Sequence, residues 1–374
     1  MEQRGLEFAP LTGDPNELVR QVMEKAGGTN LLRLSQVVLS HTIPIAIAVI
    51  ADARRACQGA DAIVHSLLTT MIGHLIAVEQ DTPDVSALIY TAFAPTAAFP
   101  SPVFPAWPLG GGYNRLTHQL FGQMFWVSNR WTHAWLSRRY PDLPPLTELP
   151  FRAGNKRPTP ILIGLSPQVI PPPADWGPHV YLTGYWFLDA APNWRAPPAL
   201  ADFLSAGPPP VYVGFGSNSG AAVSGATAIA LAALTRAGLR GVLLTGQDDV
   251  APARLPAHVC PIDDPPFDWL FPRMAATVHH GGVGTTAAAL RAGAPSVIVP
   301  SIADQHYWGR QTQRLGVGPP AIPGRRLNVE NLTEALRRAT SDADMRARAG
   351  ELGRRIRAED GVARAVKIIE QYCA

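Results

Sequence analysis

The stretch Val278-His279-His280-Gly281-Gly282-Val283-Gly284-Thr285-Thr286 decides how this chain is read. The apolar run before it, Ala276–His279, has the length of a buried strand, three glycines follow, and Thr285-Thr286 open a helix reaching Ala292. A strand that passes through a glycine loop into a helix offers a ligand the helix's first unpaired N–H groups and its positive dipole end. Glycines let a backbone approach closely. The threonines add hydroxyl donors, and His280 stands where it can donate to a phosphate oxygen. The string therefore predicts a diphosphate site built from His280, Gly282, Gly284, Thr285 and Thr286. A plain helix start beside a buried histidine is the simpler alternative, and it leaves most of the string unexplained.

Working outward, Val211-Tyr212-Val213-Gly214-Phe215-Gly216-Ser217 repeats the pattern of strand, glycine turn and hydroxyl, which supports the first loop. Gly214, Gly216 and Gly220 also give a loose dinucleotide fingerprint. Such a site wants an acidic residue at the end of the next strand. There Leu244 is followed by Thr245-Gly246-Gln247, with Asp248 only afterwards, so a nicotinamide oxidoreductase is disfavoured. On the other side, strand Ser296–Val299 leads into Pro300-Ser301-Ile302-Ala303-Asp304-Gln305. A carboxylate and an amide side by side at a helix start suit neighbouring sugar hydroxyls. Alone, Asp304 would be read as a helix cap.

Strands alternate with helices through both halves of the chain, which predicts α/β architecture with parallel sheets. The N-terminal half carries strands Leu6–Ala9, Ala62–His65, Val85–Tyr90, Thr159–Leu165 and His179–Leu182. Its predicted helices are Asn16–Ala26, Asn30–Ala56, Thr70–Gln80 and Tyr113–Arg139. Residues 183–198, rich in Trp and Pro, read as a linker between residues 1–182 and 199–374. The 37 prolines, about twice the average share, gather in loops interleaved with Trp and Phe rather than in repeats.

Of the 374 residues, 47% are apolar and 16% charged, and the net charge of +3 is too small to argue for a nucleic-acid partner. Cys57, Cys260 and Cys373 fit neither a disulfide framework nor metal-ligand spacing, so a reducing, cytoplasmic setting is expected. The first residues, Met1-Glu2-Gln3-Arg4, lack a signal-peptide core. The most apolar run, Thr42–Ala51, is far shorter than the roughly 18–20 residues a membrane span needs. A soluble monomer with at most peripheral membrane contact is expected.

His280 to Thr286, Asp304-Gln305 and Gly214 to Ser217 together resemble the donor half of the family 1 glycosyltransferases, near the sterol glucosyltransferases and the bacterial enzymes that decorate antibiotic aglycones. Asp268-Trp269-Leu270-Phe271-Pro272-Arg273 has the same flavour, and in the family this loop holds the nucleotide base. The resemblance implies a GT-B fold, two Rossmann-like domains facing across a cleft, with the last helix packing back on the first domain. It implies an inverting, metal-independent hexosyltransferase without a cofactor. Its donor would be a UDP- or TDP-sugar, UDP-glucose foremost, and its acceptor a lipophilic hydroxyl compound: sterol, lipid or polyketide. Ser217, His280, Gly282, Gly284, Thr285 and Thr286 would hold the diphosphate, and Asp304 and Gln305 the sugar. Many members place a ribose-binding glutamate where this chain has Ala288, though sterol-type members lack it too.

In the family, the general base sits in a loop after the first strand, and this chain opens near the third. The resemblance thus puts the base upstream of Met1, and the expectation is an incomplete N-terminal domain. His74 is then the candidate base near the acceptor, with a structural role as the plainer reading and impaired catalysis as the alternative function. Phe99, Phe104, Trp107, Trp126, Trp131 and Trp135 either line an apolar acceptor pocket or, for Trp131 and Trp135, form core.

Overall fold

A computed structural model describes residues 5–13, 48–67, 69–91, 93–143, 145–146, 159–215, 225–245, 255–301 and 304–373. Within them two parallel sheets form. The first has four strands, β1 Ile63–His65, β2 Asp84–Leu88, β3 Ile161–Ile163 and β4 Val180–Leu182, in sequential order. Helix α1, Thr70–Gln80, connects β1 to β2, and α2, Gly110–Arg139, lies between β2 and β3. The second sheet has β5 Val211–Gly214, β6 Gly241–Leu244, β7 Val259–Ile262, β8 Ala276–His279 and β9 Ser296–Ile298. Its order is β7-β6-β5-β8-β9. Its longer helices are α3 Pro198–Ser205, α4 Ala226–Ala237, α5 Val283–Ala292, α6 Gln305–Arg314, α7 Val329–Ser341, α8 Ala343–Arg357 and α9 Gly361–Cys373.

Sequence explains these elements locally. Strands covered on both faces read as unbroken apolar runs, and Val211, Tyr212 and Val213 are all buried. Helices α4 and α5 stop at Gly238 and Gly293, whose left-handed φ of 68° and 76° lets their N–H groups fold back onto the last turn. Helix α7 starts in a reciprocal cap between Asn328 and Asn331.

The strand order of the second sheet reverses between β5 and β8, where Gly214 pairs with His279. Ligands of open α/β sheets bind outside the carboxyl ends of strands at such a switch point. The loop after β8 is the one that carries His280 and the three glycines.

One hydrophobic cluster spans both halves. Leu88, Phe93, Ile161, Ile163 and Leu165 pack with Leu290, Trp308, Leu352 and Ile356. Residues 183–197 contain no helix or strand. After them the chain builds the second sheet, then returns: α9 lays Ala365, Ile368, Ile369 and Tyr372 against Val85, Leu162, Tyr181 and Trp186 of the first sheet's side.

Two expectations change. Residues 6–9 form no strand and pair with neither sheet, and Leu6 and Phe8 are exposed. The outer stripe of α2 is not core: Leu116, Leu120, Met124, Val127, Trp131 and Trp135 all face outward. The buried side of that helix is instead Asn114, Thr117, His118 and Leu136, with Phe121 and Phe125 against Phe93. Helix Asn16–Ala26 lies outside the described residues, and of Asn30–Ala56 residues 48–56 are described and helical.

Candidate functional site

The β8–α5 turn is built by glycine. Gly281 has φ +93°, and a Cβ there would stand 2.7 Å from Ile298 Cγ2 and 3.1 Å from the Gln305 carbonyl oxygen. A Cβ on Gly282 would stand 2.5 Å from His280 Nε2, so the His280 ring lies across the first residue before the helix. The first intrahelical bond runs from Thr286 N–H to Gly282 O, 2.9 Å. By helix geometry the N–H groups of Val283, Gly284 and Thr285 are left over for a ligand.

The two histidines of the turn divide the work. His279 is fully buried, and its Nδ1 accepts the Gly281 N–H at 3.2 Å. Burial, reinforced by neighbouring His280, pushes its pKa down to about 3, so it is a neutral brace for the loop. His280 is half-buried and its pKa is lowered by burial. The free ring is therefore neutral near pH 7 and donates one N–H.

Gly284 is exposed and Thr285 half-buried, both on the wall of the cleft. Thr286 differs from the sequence expectation. It is fully buried and its hydroxyl donates to Gly282 O at 2.8 Å, so it stabilises the turn and has no donor left for a phosphate. Ser217 lies outside the described residues.

Asp304 and Gln305 part company. Asp304 precedes α6 but makes no side-chain cap, and its Oδ2 is buried without a hydrogen-bond partner. Burial raises its pKa above the usual value, and its own backbone N–H and then the Trp308 indole offset only part of that rise. The unpartnered Oδ2 beside the phosphate turn is available to sugar hydroxyls. Gln305 is buried, and its Oε1 accepts the Ser301 N–H at 2.8 Å, which closes the loop before α6.

From the first half, Tyr90 reaches this region just beyond β2. Burial and then the nearby Asp304 carboxylate raise its pKa to about 12. Sequence reasoning passed over Tyr90, although its place at a carboxyl strand end was a usable signal.

A cleft of about 820 Å³ runs alongside, lined by both halves and the linker. Its walls include Ile89, Gly164, Phe187, Phe267, Asp268 and the Gly284–Ala288–Arg291 side of α5. Arg291 forks onto the Asp189 carboxylate and lies 4.5 Å over the Phe187 ring. The Ala190 N–H donates to Asp268 Oδ2 at 2.9 Å. The linker is thus pinned to the second sheet's helices. Spacing held this signal, because Gly284, Ala288 and Arg291 recur at i, i+4 and i+7.

His74 is not in that cleft. Its Nδ1 contacts Asp84 Oδ2 at 2.9 Å, and His65 Nε2 reaches the same oxygen at 2.9 Å. Thr159 Oγ1 donates to Asp84 Oδ1 at 3.2 Å. Burial raises the Asp84 pKa, but these imidazole hydrogen bonds and charges outweigh it and bring it to about 2. The cluster braces the sheet beneath α1, where Gly73 packs on the His65 ring. His74 is thus held on a buried carboxylate and does not line the cleft beside α5. Met1, upstream of which the family's base is expected, lies outside the described residues.

The aromatic residues also divide. Phe99 packs with His118 and Trp176 inside the first half. Phe104 and Trp126 are half-buried, whereas Trp107, Trp131 and Trp135 are exposed.

Comparison with known proteins agrees with this geometry. Residues 242–371 match the family model of the erythromycin biosynthesis protein CIII-like C-terminal domain. Over its full length the chain superposes on the glycosyltransferase of kitacinnamycin, TM-score 0.68 and 18% identity, covering 88% of that chain. The glycosyltransferase VinC, solved with dTDP, gives TM-score 0.64 and 20% identity at the same coverage. The fold is GT-B. In sequence, 99% of this GT-B chain aligns with sterol 3-beta-glucosyltransferases of Emericella nidulans, at 36% identity, and of Neurospora crassa, at 34%. The chain spans about a quarter of the length of these relatives, 27% and 24%.

Proposed function

We propose that this chain transfers a hexose from a nucleoside diphosphate sugar, UDP-glucose foremost, to a hydroxyl of a lipophilic acceptor such as a sterol. The observation that carries the reading is the start of α5. Three N–H groups outside the helix ladder and the His280 ring across Gly282 converge there, beside the unpartnered Oδ2 of Asp304. The sterol glucosyltransferase relatives support the choice of acceptor and sugar.

In this reading the diphosphate lies on the N–H groups of Val283, Gly284 and Thr285, with one N–H from His280 and the Ser217 hydroxyl. Asp304 holds the hexose hydroxyls, and the nucleoside extends into the cleft past Ala288 and Asp268. The acceptor oxygen attacks the anomeric carbon from the face opposite the phosphate. The carbon–oxygen bond to the diphosphate breaks, its electron pair leaves with the nucleoside diphosphate, and the configuration inverts. The helix dipole and His280 N–H stabilise the charge that develops on the leaving group, the part a divalent ion plays in other phosphate chemistry. The acceptor proton passes to a base within reach of that oxygen.

The place of His74 favours a second reading. It is held on Asp84 and does not line the donor cleft, and a chain that binds nucleotide sugar without turning it over would show the same donor site. A transfer assay separates the two. The chain is mixed with UDP-glucose and a sterol, and both UDP release and steryl glucoside are measured. Glucoside that disappears in His280→Ala supports transfer. Nucleotide affinity with no product supports the binding-only reading, and no affinity for any nucleoside diphosphate overturns both.

A further inference from the structure

Helix α2 carries an outward apolar face that belongs to no hydrophobic cluster among the described residues. Leu116, Leu120, Met124, Val127, Trp131 and Trp135 recur every three or four residues on its outer side, and Met124 and Trp131 are 65% and 70% exposed. Such a row covers about 30 Å of helix at 1.5 Å per residue. It is not a misjudged core face, because the opposite side of α2 already supplies the core contacts through Phe121, Phe125 and Leu136. The loop leading into α2 adds exposed Trp107 and Leu109.

Charge indicates what covers the stripe. The 30 residues of α2 contain Arg115, Arg130, Arg138 and Arg139 and no aspartate or glutamate. On the helix circumference Arg130 flanks the stripe and Arg138 continues its line one turn past Trp135, and both are exposed. A second copy packed through this face would gather the arginines of both helices in one contact with no α2 carboxylate to offset them, because a two-fold contact uses the same patch on both sides. An anionic phospholipid surface instead complements both features. Apolar and tryptophan side chains enter the headgroup boundary, while arginines extend along it to the phosphates. Among the described residues no helix is long and apolar enough to cross a membrane, so contact along the surface is the mode that fits.

We infer that α2 docks this chain, lying flat, on an anionic phospholipid bilayer. The inference rests on the surface of α2 alone and is read without any transfer reaction, so it stands or falls apart from the proposed activity.

The test is sedimentation of the chain with vesicles of pure phosphatidylcholine and of phosphatidylcholine with roughly 30% phosphatidylserine, a fraction that gives a negative surface. Binding to the anionic vesicles is expected, weakened by salt. The double variant Trp131→Glu/Met124→Glu should bind at least about ten-fold more weakly, because each large side chain loses its place at the lipid boundary. Arg130→Gln/Arg138→Gln should lose about five-fold per arginine. All four positions are exposed, so thermal unfolding should match the parent. Quenching of tryptophan fluorescence by lipids brominated on the acyl chains should fall in Trp131→Phe. Three results would overturn the inference. They are equal sedimentation with neutral and anionic vesicles, equal binding by parent and glutamate variant, and a concentration-dependent dimer abolished by Met124→Glu, which would assign the stripe to a second copy.

Discussion

Replacing His280 by alanine isolates the phosphate contact. The ring lies over Gly282 and is held neutral by burial, so it brings one N–H to the diphosphate and no fixed charge. A hydrogen bond to an ionised acceptor contributes about 1.5–3 kcal/mol. At about 1.4 kcal/mol per decade, affinity should fall about ten- to one-hundred-fold. Calorimetric titration with UDP and with TDP measures it directly, and both should lose by the same factor because the contact is to phosphate and not to the base. The ring makes no bond that holds the turn, a task left to His279, so the melting temperature should change little. A pH series adds a signature. Bound diphosphate favours the protonated ring, so the gap between parent and variant should widen as pH falls from about 7.5 toward about 5.5. Affinities equal within about two-fold at every pH would show that His280 points away from the ligand and that the phosphate site is misassigned.

Asp304→Ala should weaken UDP-glucose binding about ten-fold while leaving UDP nearly unchanged; equal losses would make Asp304 a loop residue. Its raised pKa gives a stability test as well. The folded state holds that proton more tightly than the unfolded one, so stability falls as pH rises above about 4, and at neutral pH the buried charge is a full burden. Asp304→Asn should therefore melt a few degrees higher than the parent near neutral pH, with the gain vanishing below about pH 4 in a thermal scan. His74→Ala removes one of the donors on Asp84 and should destabilise by about 1–2 kcal/mol in denaturant titration, with turnover per folded molecule preserved; lost turnover at unchanged stability would make it the base. Arg291→Ala releases the linker from α5. Its exposed ion pair contributes little stability, but trypsin should cut faster after Arg195, and an unchanged cleavage rate would mean the linker is held by other contacts.

Much of the fold was legible because it is written in local patterns. Buried parallel strands appear as short apolar runs, and a glycine loop between strand and helix marks a phosphate turn whatever surrounds it. The chemistry that depends on where side chains turn was less legible. Asp304 and Gln305 are adjacent, yet one is left unpaired and the other folds back onto Ser301 N–H, a difference of rotamer and loop path that spacing does not encode. Thr286 likewise sits in the right string but one residue too deep in the helix, where its hydroxyl meets Gly282 O. Tyr90 comes to Asp304 from the other half of the chain, and a contact across two sheets leaves no periodic trace. The outer stripe of α2 shows the converse limit. Helical spacing announces an apolar face, but with a second apolar face on the same helix it does not say which one turns inward.

The return of α9 to the first sheet has a consequence for how the molecule forms. Val85 and Leu162 are covered by Ala365 and its neighbours, about 200 residues later in sequence for Leu162, a separation that slows the search for native contacts. During synthesis the first sheet therefore emerges with one face bare and waits for the second sheet to be completed before it is capped. That interval is one in which chaperones and aggregation compete for the same surface. Once α9 is seated, the chain is closed on itself like a belt through its own buckle. The two halves should then unfold in a single step, even though each has its own sheet.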